Sequence, residues 1–272
     1  MKKERLDVLL VERGLYPTRE KAKAAVMAGL VQVAGERCDK PGTKLAEDVA
    51  ITVKGELHPY VSRGGLKLEK ALDVFHIDLA GKVMVDIGSS TGGFTDCALQ
   101  HGARKVYAID VGYGQLAWSL RQDERVVVME RTNFRHLDPD AFPHEKPDFA
   151  SIDVSFISLK LILPVLYRLL KAGGETVALV KPQFEAGKEN VGKNGIVRDP
   201  RIHREVVLAI SQFAASLGFV LKGLSYSPIT GGEGNIEFLL YLHKAAEAGQ
   251  SIDADWESVV DEVVSAAHQS LH

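Results

Sequence analysis

Apolar and polar positions along this chain change rhythm near residue 60. In residues 4–14, E-R-L-D-V-L-L-V-E-R-G, the apolar Leu6, Leu9 and Leu10 recur at helical spacing, and Gly14 reads as a stop. Pro17 and Thr18 open a second helix over roughly 19–28. Thr18 is its N-cap, Ala22, Ala25 and Val26 form an inner face, and Arg19 and Lys23 stand one turn apart outside. Two short strands follow, L-V-Q-V-A-G and V-A-I-T-V (49–53), divided by turn chemistry at Asp39, Pro41 and Gly42. A unit this small has a shallow core. Residues 54–63 contain Gly55 and Pro59, show no clean period and read as a hinge.

A helix over 64–77 comes next, with Leu66, Ala71, Leu72 and Phe75 as its stripe and Lys67 within it. From Lys82 onward, strand-like runs alternate with helical runs: K-V-M-V-D-I-G, K-V-Y-A-I-D-V, R-V-V-V-M-E, F-A-S-I-D-V-S-F and E-T-V-A-L-V-K-P. A long Gly/Lys/Asn-rich loop (185–198) and a helix over 201–217 precede two last strands with no helix between them. Such alternation predicts an α/β fold: a doubly wound, mostly parallel sheet closed by an antiparallel hairpin. The expected layout is a small α+β domain over 1–56, a linker over 57–63, the α/β domain over 64–244 and an acidic tail over 245–272. The tail ends in the helical pattern W-E-S-V-V-D-E-V-V-S-A-A, which either docks on the domain or stays mobile.

Charge sharpens this division. Residues 1–30 carry seven Lys/Arg against four Asp/Glu, while residues 245–272 carry six Asp/Glu and no Lys/Arg. The net charge of −3 therefore conceals a mildly basic front, which permits a nucleic-acid partner. Cys38 and Cys97 lie in different segments, which argues against a disulfide framework and a cysteine zinc site. No apolar run reaches spanning length, and M-K-K-E-R-L-D lacks the apolar core of a signal peptide, so a cytoplasmic protein is expected.

The stretch Val83–Ala98, V-M-V-D-I-G-S-S-T-G-G-F-T-D-C-A, is a strand, a glycine-rich turn and a helix start, the layout that cradles a nucleotide-like cofactor. Its spacing Asp86-x-Gly88-x-x-x-Gly92 differs from the dinucleotide G-x-G-x-x-G. The expected cofactor contacts are Asp86, Gly88, Ser89, Ser90, Thr91, Gly92, Gly93 and Phe94, with Gly92 and Gly93 leaving the backbone open to the ligand. Asp110, 24 residues after Asp86, closes the second strand and suits both ribose hydroxyls, beside Val111. Asn133 suits an adenine edge, and Trp118 and Phe134 either flank that ring or belong to the core. Asp153, Lys181 and Glu237 fall at the ends of later strands, where charges among apolar runs are costly unless they pair or work. Pro182 keeps Lys181 extended.

These strings carry three resemblances. D-I-G-S-S-T-G-G resembles the cofactor motif of S-adenosylmethionine-dependent methyltransferases. Arg5, Leu6, Asp7, Thr18, Arg19, Ala22, Gly29, Val31, Val33, Gly35, Lys40, Pro41 and Gly42 are similar in order to the S-four RNA-binding domain. That likeness implies that Arg5, Arg19, Lys21 and Lys23, with Arg63 beyond the domain, meet an RNA backbone, positioning it without reading its sequence. Lys67, Asp153, Lys181 and Glu237 resemble the K–D–K–E tetrad of FtsJ/RrmJ-like ribose 2′-O-methyltransferases. With S-R-G-G-L-K-L, D-V-S-F-I-S-L and L-V-K-P-Q-F-E, the whole resembles the TlyA family of rRNA (cytidine-2′-O)-methyltransferases, historically also called haemolysins. Where some members carry R-x-W-V, this chain reads H-P-Y-V, His58 to Val61.

The resemblance implies S-adenosyl-L-methionine as cofactor, no metal, and ribosomal RNA or a ribosomal subunit as partner. It also implies that Lys181 handles the 2′-OH proton, Lys67 and the sulfonium ease its loss, and Asp153 and Glu237 orient the lysines. Two other classes compete. A non-catalytic RNA-binding or ribosome-assembly factor predicts a degraded turn or tetrad. A membrane-active haemolysin requires an apolar span or a cationic amphipathic helix.

Overall fold

A computed structural model describes residues 3–27, 29–53, 58–231, 234–245 and 255–271. The chain divides into two units, Met1–Pro59 and Tyr60–His272.

In the first unit, β1 (Lys3–Arg5) leads directly into α1 (Leu6–Glu12), followed by α2 (Arg19–Met27), β2 (Val31–Val33), β3 (Glu36–Arg37), β4 (Lys44–Ala46) and β5 (Ile51–Val53). Leu6, Leu10, Ala22, Ala25, Val26 and Val31 form its core. The helix predicted from residue 4 starts later, because Lys3–Arg5 pairs antiparallel with Lys44–Ala46. The brief β3 and β4 lie in the stretch expected to be turn alone. Residue 28, at the predicted end of α2, is outside the described residues, as are residues 54–57 of the hinge.

The second unit begins with α3 (Gly64–Phe75), β6 (Val83–Ile87), α4 (Gly93–Gln100), β7 (Lys105–Ile109), α5 (Trp118–Arg121), β8 (Val126–Met129) and β9 (Phe149–Ile152). It continues through α6 (Leu159–Leu169), β10 (Glu175–Val180), α7 (Pro182–Glu185), α8 (Pro200–Ser216), β11 (Phe219–Tyr226), β12 (Phe238–Lys244) and α9 (Trp256–Leu271). Its seven strands are ordered β11-β12-β10-β9-β6-β7-β8. Strands β8, β7, β6, β9 and β10 run parallel, and β12 is antiparallel to both β10 and β11. This is the mixed sheet of S-adenosylmethionine-dependent methyltransferases, and the order reverses between β6 and β9, where open α/β sheets bind ligands.

Two departures matter for function. Tyr60 and Val61, expected in a linker, are anchored in the second unit. Tyr60 is buried and donates to Glu69 Oε1 at 2.6 Å, and Val61 N donates to Asp96 Oδ2 at 2.7 Å. Burial, reinforced by Glu69, holds the Tyr60 hydroxyl firmly protonated. The end of the acidic tail is docked: Trp256, Val260, Val264 and Ala267 join the core beneath α8 and β11. Residues 246–254 of that tail are outside the described residues.

Candidate active site

The ends of β6, β9 and β10 and the residue preceding β12 converge on one edge of the sheet. A cavity of about 800 Å³ opens there, lined among others by Arg63, Lys67, Asp153, Lys181 and Glu237. A second, of about 410 Å³, adjoins it and shares Gly88, Ser90, Asp153, Ser155 and Phe156 as walls. Together they have the size and mixed lining of a cofactor and acceptor site.

The four charged residues expected from the sequence meet at this edge. Lys67, on the first turn of α3, lies 2.5 Å from Glu237 Oε2 and 3.9 Å from Asp153 Oδ2. Lys181 lies 2.5 Å from Asp153 Oδ1 without an aligned hydrogen bond to that oxygen, and donates to Ser155 Oγ at 3.3 Å. Both lysines are only 7% exposed, so their charges are tolerable only because the carboxylates face them. The pairing is unequal: Lys67 faces two carboxylates, whereas Lys181 faces one carboxylate and a neutral hydroxyl. Lys181 is extended (φ −113, ψ 100) as Pro182 requires.

The glycine turn is shaped by protein contacts more than the sequence suggests. Gly88 (φ +85) could carry no side chain, since a Cβ would stand 2.5 Å from the backbone oxygen of Asp153. At Gly92 (φ +99) a Cβ would meet Leu120 and Leu116, and at Gly93 it would meet Ser62 Oγ and Gly65 N. Gly93 lines the larger cavity, but the expectation that both glycines chiefly leave space for ligand is corrected: they let α4 approach α3 and α5. Ser89, Ser90, Thr91 and Phe94 also line the larger cavity.

Asp86 is corrected too. It is fully buried, accepting from Thr95 Oγ1 at 2.7 Å and Ser151 Oγ at 2.9 Å. It lines neither cavity. Burial pushes its carboxyl up to about 6 against the two hydroxyl donors. It ties β6 to α4 and β9 underneath the turn.

The smaller cavity has apolar walls of Ile87, Ile109, Phe134, Ile157 and Ile162, with Asp110, Val111 and Asn133 at its polar side. Asp110 accepts from Ser90 N and Gly112 N, both at 2.7 Å, so each oxygen retains a lone pair for a ribose hydroxyl. Asn133 Oδ1 accepts from Arg135 N at 3.2 Å. Phe134 is both cavity wall and core, whereas Trp118 is 74% exposed and does neither job. A flat apolar slot with carboxylate acceptors at one side fits an adenosine, and therefore fits S-adenosylmethionine. Among the described residues no cluster of His, Cys, Asp and Glu suits a metal ion.

Sequence reasoning missed three neighbours. Phe156 is 90% exposed at positive φ (+63), beside Phe184 with ring centroids 4.9 Å apart. Ser155 touches Lys181, and Gln183 donates to Glu237 Oε1 at 3.3 Å. All three lie inside strings that had been recognised, D-V-S-F and K-P-Q-F, but uncharged residues there gave no signal of their own.

An FtsJ-like methyltransferase model matches residues 60–244, and an S4 domain model matches residues 4–51. YqxC of Bacillus subtilis, provisionally assigned as an rRNA methyltransferase, is 62% identical over 270 residues, covering 99% of this chain and 96% of that one. The 16S/23S rRNA (cytidine-2′-O)-methyltransferase TlyA of Mycobacterium tuberculosis is 44% identical over 251 residues, covering 92% and 93%. The chain belongs to the TlyA family. A solved structure from Streptococcus thermophilus, provisionally called a hemolysin, matches this TlyA-family chain with a TM-score of 0.77 and 54% identity, covering 99% and 97%. Among the described residues no helix of the TlyA-family chain is long and apolar enough to cross a membrane.

In the S4 domain, Arg5 and Arg19 are less free than predicted. Buried Asp7 pairs with Arg5 Nε at 2.9 Å and Arg19 Nη2 at 3.0 Å. The Arg5 hydrogen bond first, with Arg19 assisting, holds the Asp7 carboxyl down at about 2 despite burial. Both guanidinium groups remain nearly half exposed, with further N–H groups for phosphate. Lys21 is exposed and Lys23 half-buried on α2, and Arg63 stands exposed at the larger cavity.

Proposed function

We propose that this enzyme transfers a methyl group from S-adenosylmethionine to the 2′-hydroxyl of a cytidine ribose in ribosomal RNA. The observation that carries the reading is the pair of buried lysines, each on a carboxylate, in the wall of the larger cavity. The cofactor supplies an electrophilic methyl on its sulfonium. A ribose hydroxyl is a weak nucleophile and must be held in line and relieved of its proton. Lys181 takes that task, because it is the less firmly held of the two cations. Lys67 stays charged between Glu237 and Asp153 and supplies a fixed positive field toward developing negative charge on the hydroxyl. Asp153 faces both lysines and fixes their separation.

In this reading Asp110 holds the cofactor ribose, and the Gly88–Phe94 turn offers backbone N–H groups. The exposed Phe156–Phe184 pair gives the acceptor base an aromatic face to stack on, the usual means of holding an unstacked base. The half-free Arg5 and Arg19, with Lys21, Lys23 and Arg63, contact phosphates. The name of the M. tuberculosis relative supports cytidine and rRNA as the acceptor.

The test is methyl-label transfer to ribosomal subunits, followed by mapping of the labelled nucleoside. Label on a ribose 2′-oxygen is expected; label on a base would overturn the reading. The variant Lys181→Ala should bind RNA and cofactor yet lose transfer, and near-normal turnover would remove Lys181 from the mechanism.

A further inference from the structure

We propose that Gln183 is a positioning residue of the methyl-transfer site, fixing Glu237 and through it Lys67; this rests on the ribose-methylation reading above. Glu237 is buried and has two oxygens to satisfy. Lys67 takes Oε2 at 2.5 Å, and Gln183 Nε2 donates to Oε1 at 3.3 Å. The backbone of Gly231 presses on that same oxygen: a Cβ there would stand 2.1 Å from it. Oε1 is thus confined between Gly231 and the Gln183 amide.

The orientation of that amide is set by charge. Reversing it would aim the amide oxygen at a carboxylate oxygen, so Nε2 must face Glu237. The consequence is visible: Gln183 Oε1 is buried with no hydrogen-bond partner. An unpaired buried acceptor is a standing cost. A leucine or methionine would occupy the position without it, so filling space does not account for a glutamine. Tethering Glu237 does.

The tether also explains the segment K-P-Q. Lys181 faces Asp153, Gln183 holds Glu237, and Pro182 between them restricts the backbone. One tripeptide therefore braces both carboxylates, with a cation on one and a neutral donor on the other. Neutrality matters: a third cation would unbalance two lysines against two carboxylates. A third carboxylate would hold both lysines charged.

Two variants of similar volume separate positioning from packing. Gln183→Leu should lower kcat about tenfold or more, with cofactor affinity by calorimetry and thermal unfolding little changed. Gln183→Glu should displace the rising limb of kcat against pH to the alkaline side by about one pH unit, since an added carboxylate favours ammonium over amine. Turnover of Gln183→Leu within about twofold of the parent overturns the proposal. So does an undisplaced limb in Gln183→Glu, or loss of cofactor binding in step with kcat.

A measurement without RNA keeps this result distinct from the substrate reading. The ¹⁵N-ammonium signal of Lys67, assigned by its loss in Lys67→Met, should be protected from water exchange in the parent and weakened in Gln183→Leu. Equal protection in both overturns the tether. Absence of ribose label with the parent enzyme would instead overturn the substrate reading and leave the Lys67 signal to decide the role of Gln183.

Discussion

Asp86→Asn should change stability by an amount that depends on pH in a defined direction. Asp86 is fully buried, and its only side-chain partners among the described residues are the hydroxyls of Thr95 and Ser151. Burial raises its carboxyl from 3.8 to about 6. Between those values the folded chain keeps a proton that the unfolded chain has released. Stability therefore falls as pH rises from about 4 to about 6 and levels off above, because the folded state must then hold a buried charge. The rise corresponds to about 3 kcal/mol at neutral pH. Asparagine has the same shape and does not ionise. Its cost in remaking the two hydroxyl contacts is independent of pH, whereas its gain from the missing charge grows through the window. The difference between variant and parent should thus move in favour of the variant by about 3 kcal/mol between pH 4 and pH 7. Urea unfolding followed by tryptophan emission measures it, since both tryptophans, Trp118 and Trp256, lie in the catalytic unit. A difference that is the same at pH 4.5 and pH 7.5 would refute the reasoning. Cofactor affinity should change little, since Asp86 lines neither cavity.

Other substitutions test the remaining supports. Gly88→Ala forces a Cβ to within 2.5 Å of the Asp153 backbone at positive φ, so it should destabilise the catalytic unit by about 2 kcal/mol or more and weaken cofactor binding, read by calorimetry. Asp7→Asn removes a carboxylate held at about 2, whose stabilisation is present above 3.8 and lost as pH falls through about 2. Because both arginine partners are nearly half in water, the loss at pH 7 should be about 1 kcal/mol, visible as faster hydrogen exchange in α1 and shrinking below pH 4. Trp256→Ala should cost about 3 kcal/mol and lower the melting temperature of the catalytic unit, because α9 is part of its core. An unchanged melting temperature would return α9 to the status of an appendage.

The strand–helix alternation and the order of the charged residues were legible because each has a physical period or a fixed place in a known pattern. The sheet, its antiparallel end and the meeting of Lys67, Asp153, Lys181 and Glu237 follow from them. Asp86 was misplaced for a reason the run V-M-V-D-I hides. Val83, Val85 and Ile87 face one core cluster while Met84 faces the other, so alternation turns Asp86 toward α4 and Thr95, away from the ligand. A strand that is apolar on both faces shows no such alternation in its sequence. Gly92 and Gly93 posed the same difficulty: a glycine marks a close approach without saying whether ligand or protein comes close. Arg5 and Arg19 were read as free cations because their shared partner, Asp7, reads as a polar position on a short helix. The acidic tail was ambiguous because charge dominates its composition, while four inward residues decide where it lies.

The unequal holding of the two lysines links these observations to function. Two ammonium groups in a largely buried site would repel each other and a sulfonium, so at least one must be held by carboxylates if both are present. The structure gives Lys67 both carboxylates and gives Lys181 only one, with Ser155 as a neutral second partner. A proton is therefore released more readily from Lys181, and Lys67 remains the fixed charge that favours its release. This asymmetry predicts an ordering of arginine substitutions. Lys67→Arg keeps the permanent charge and should retain part of the methyl-transfer rate. Lys181→Arg places a group that does not give up its proton at the acceptor hydroxyl and should abolish transfer. Single-turnover transfer with saturating cofactor measures both. Equal loss in the two variants would mean that the lysines share the proton, and that the difference in their partners has no chemical consequence.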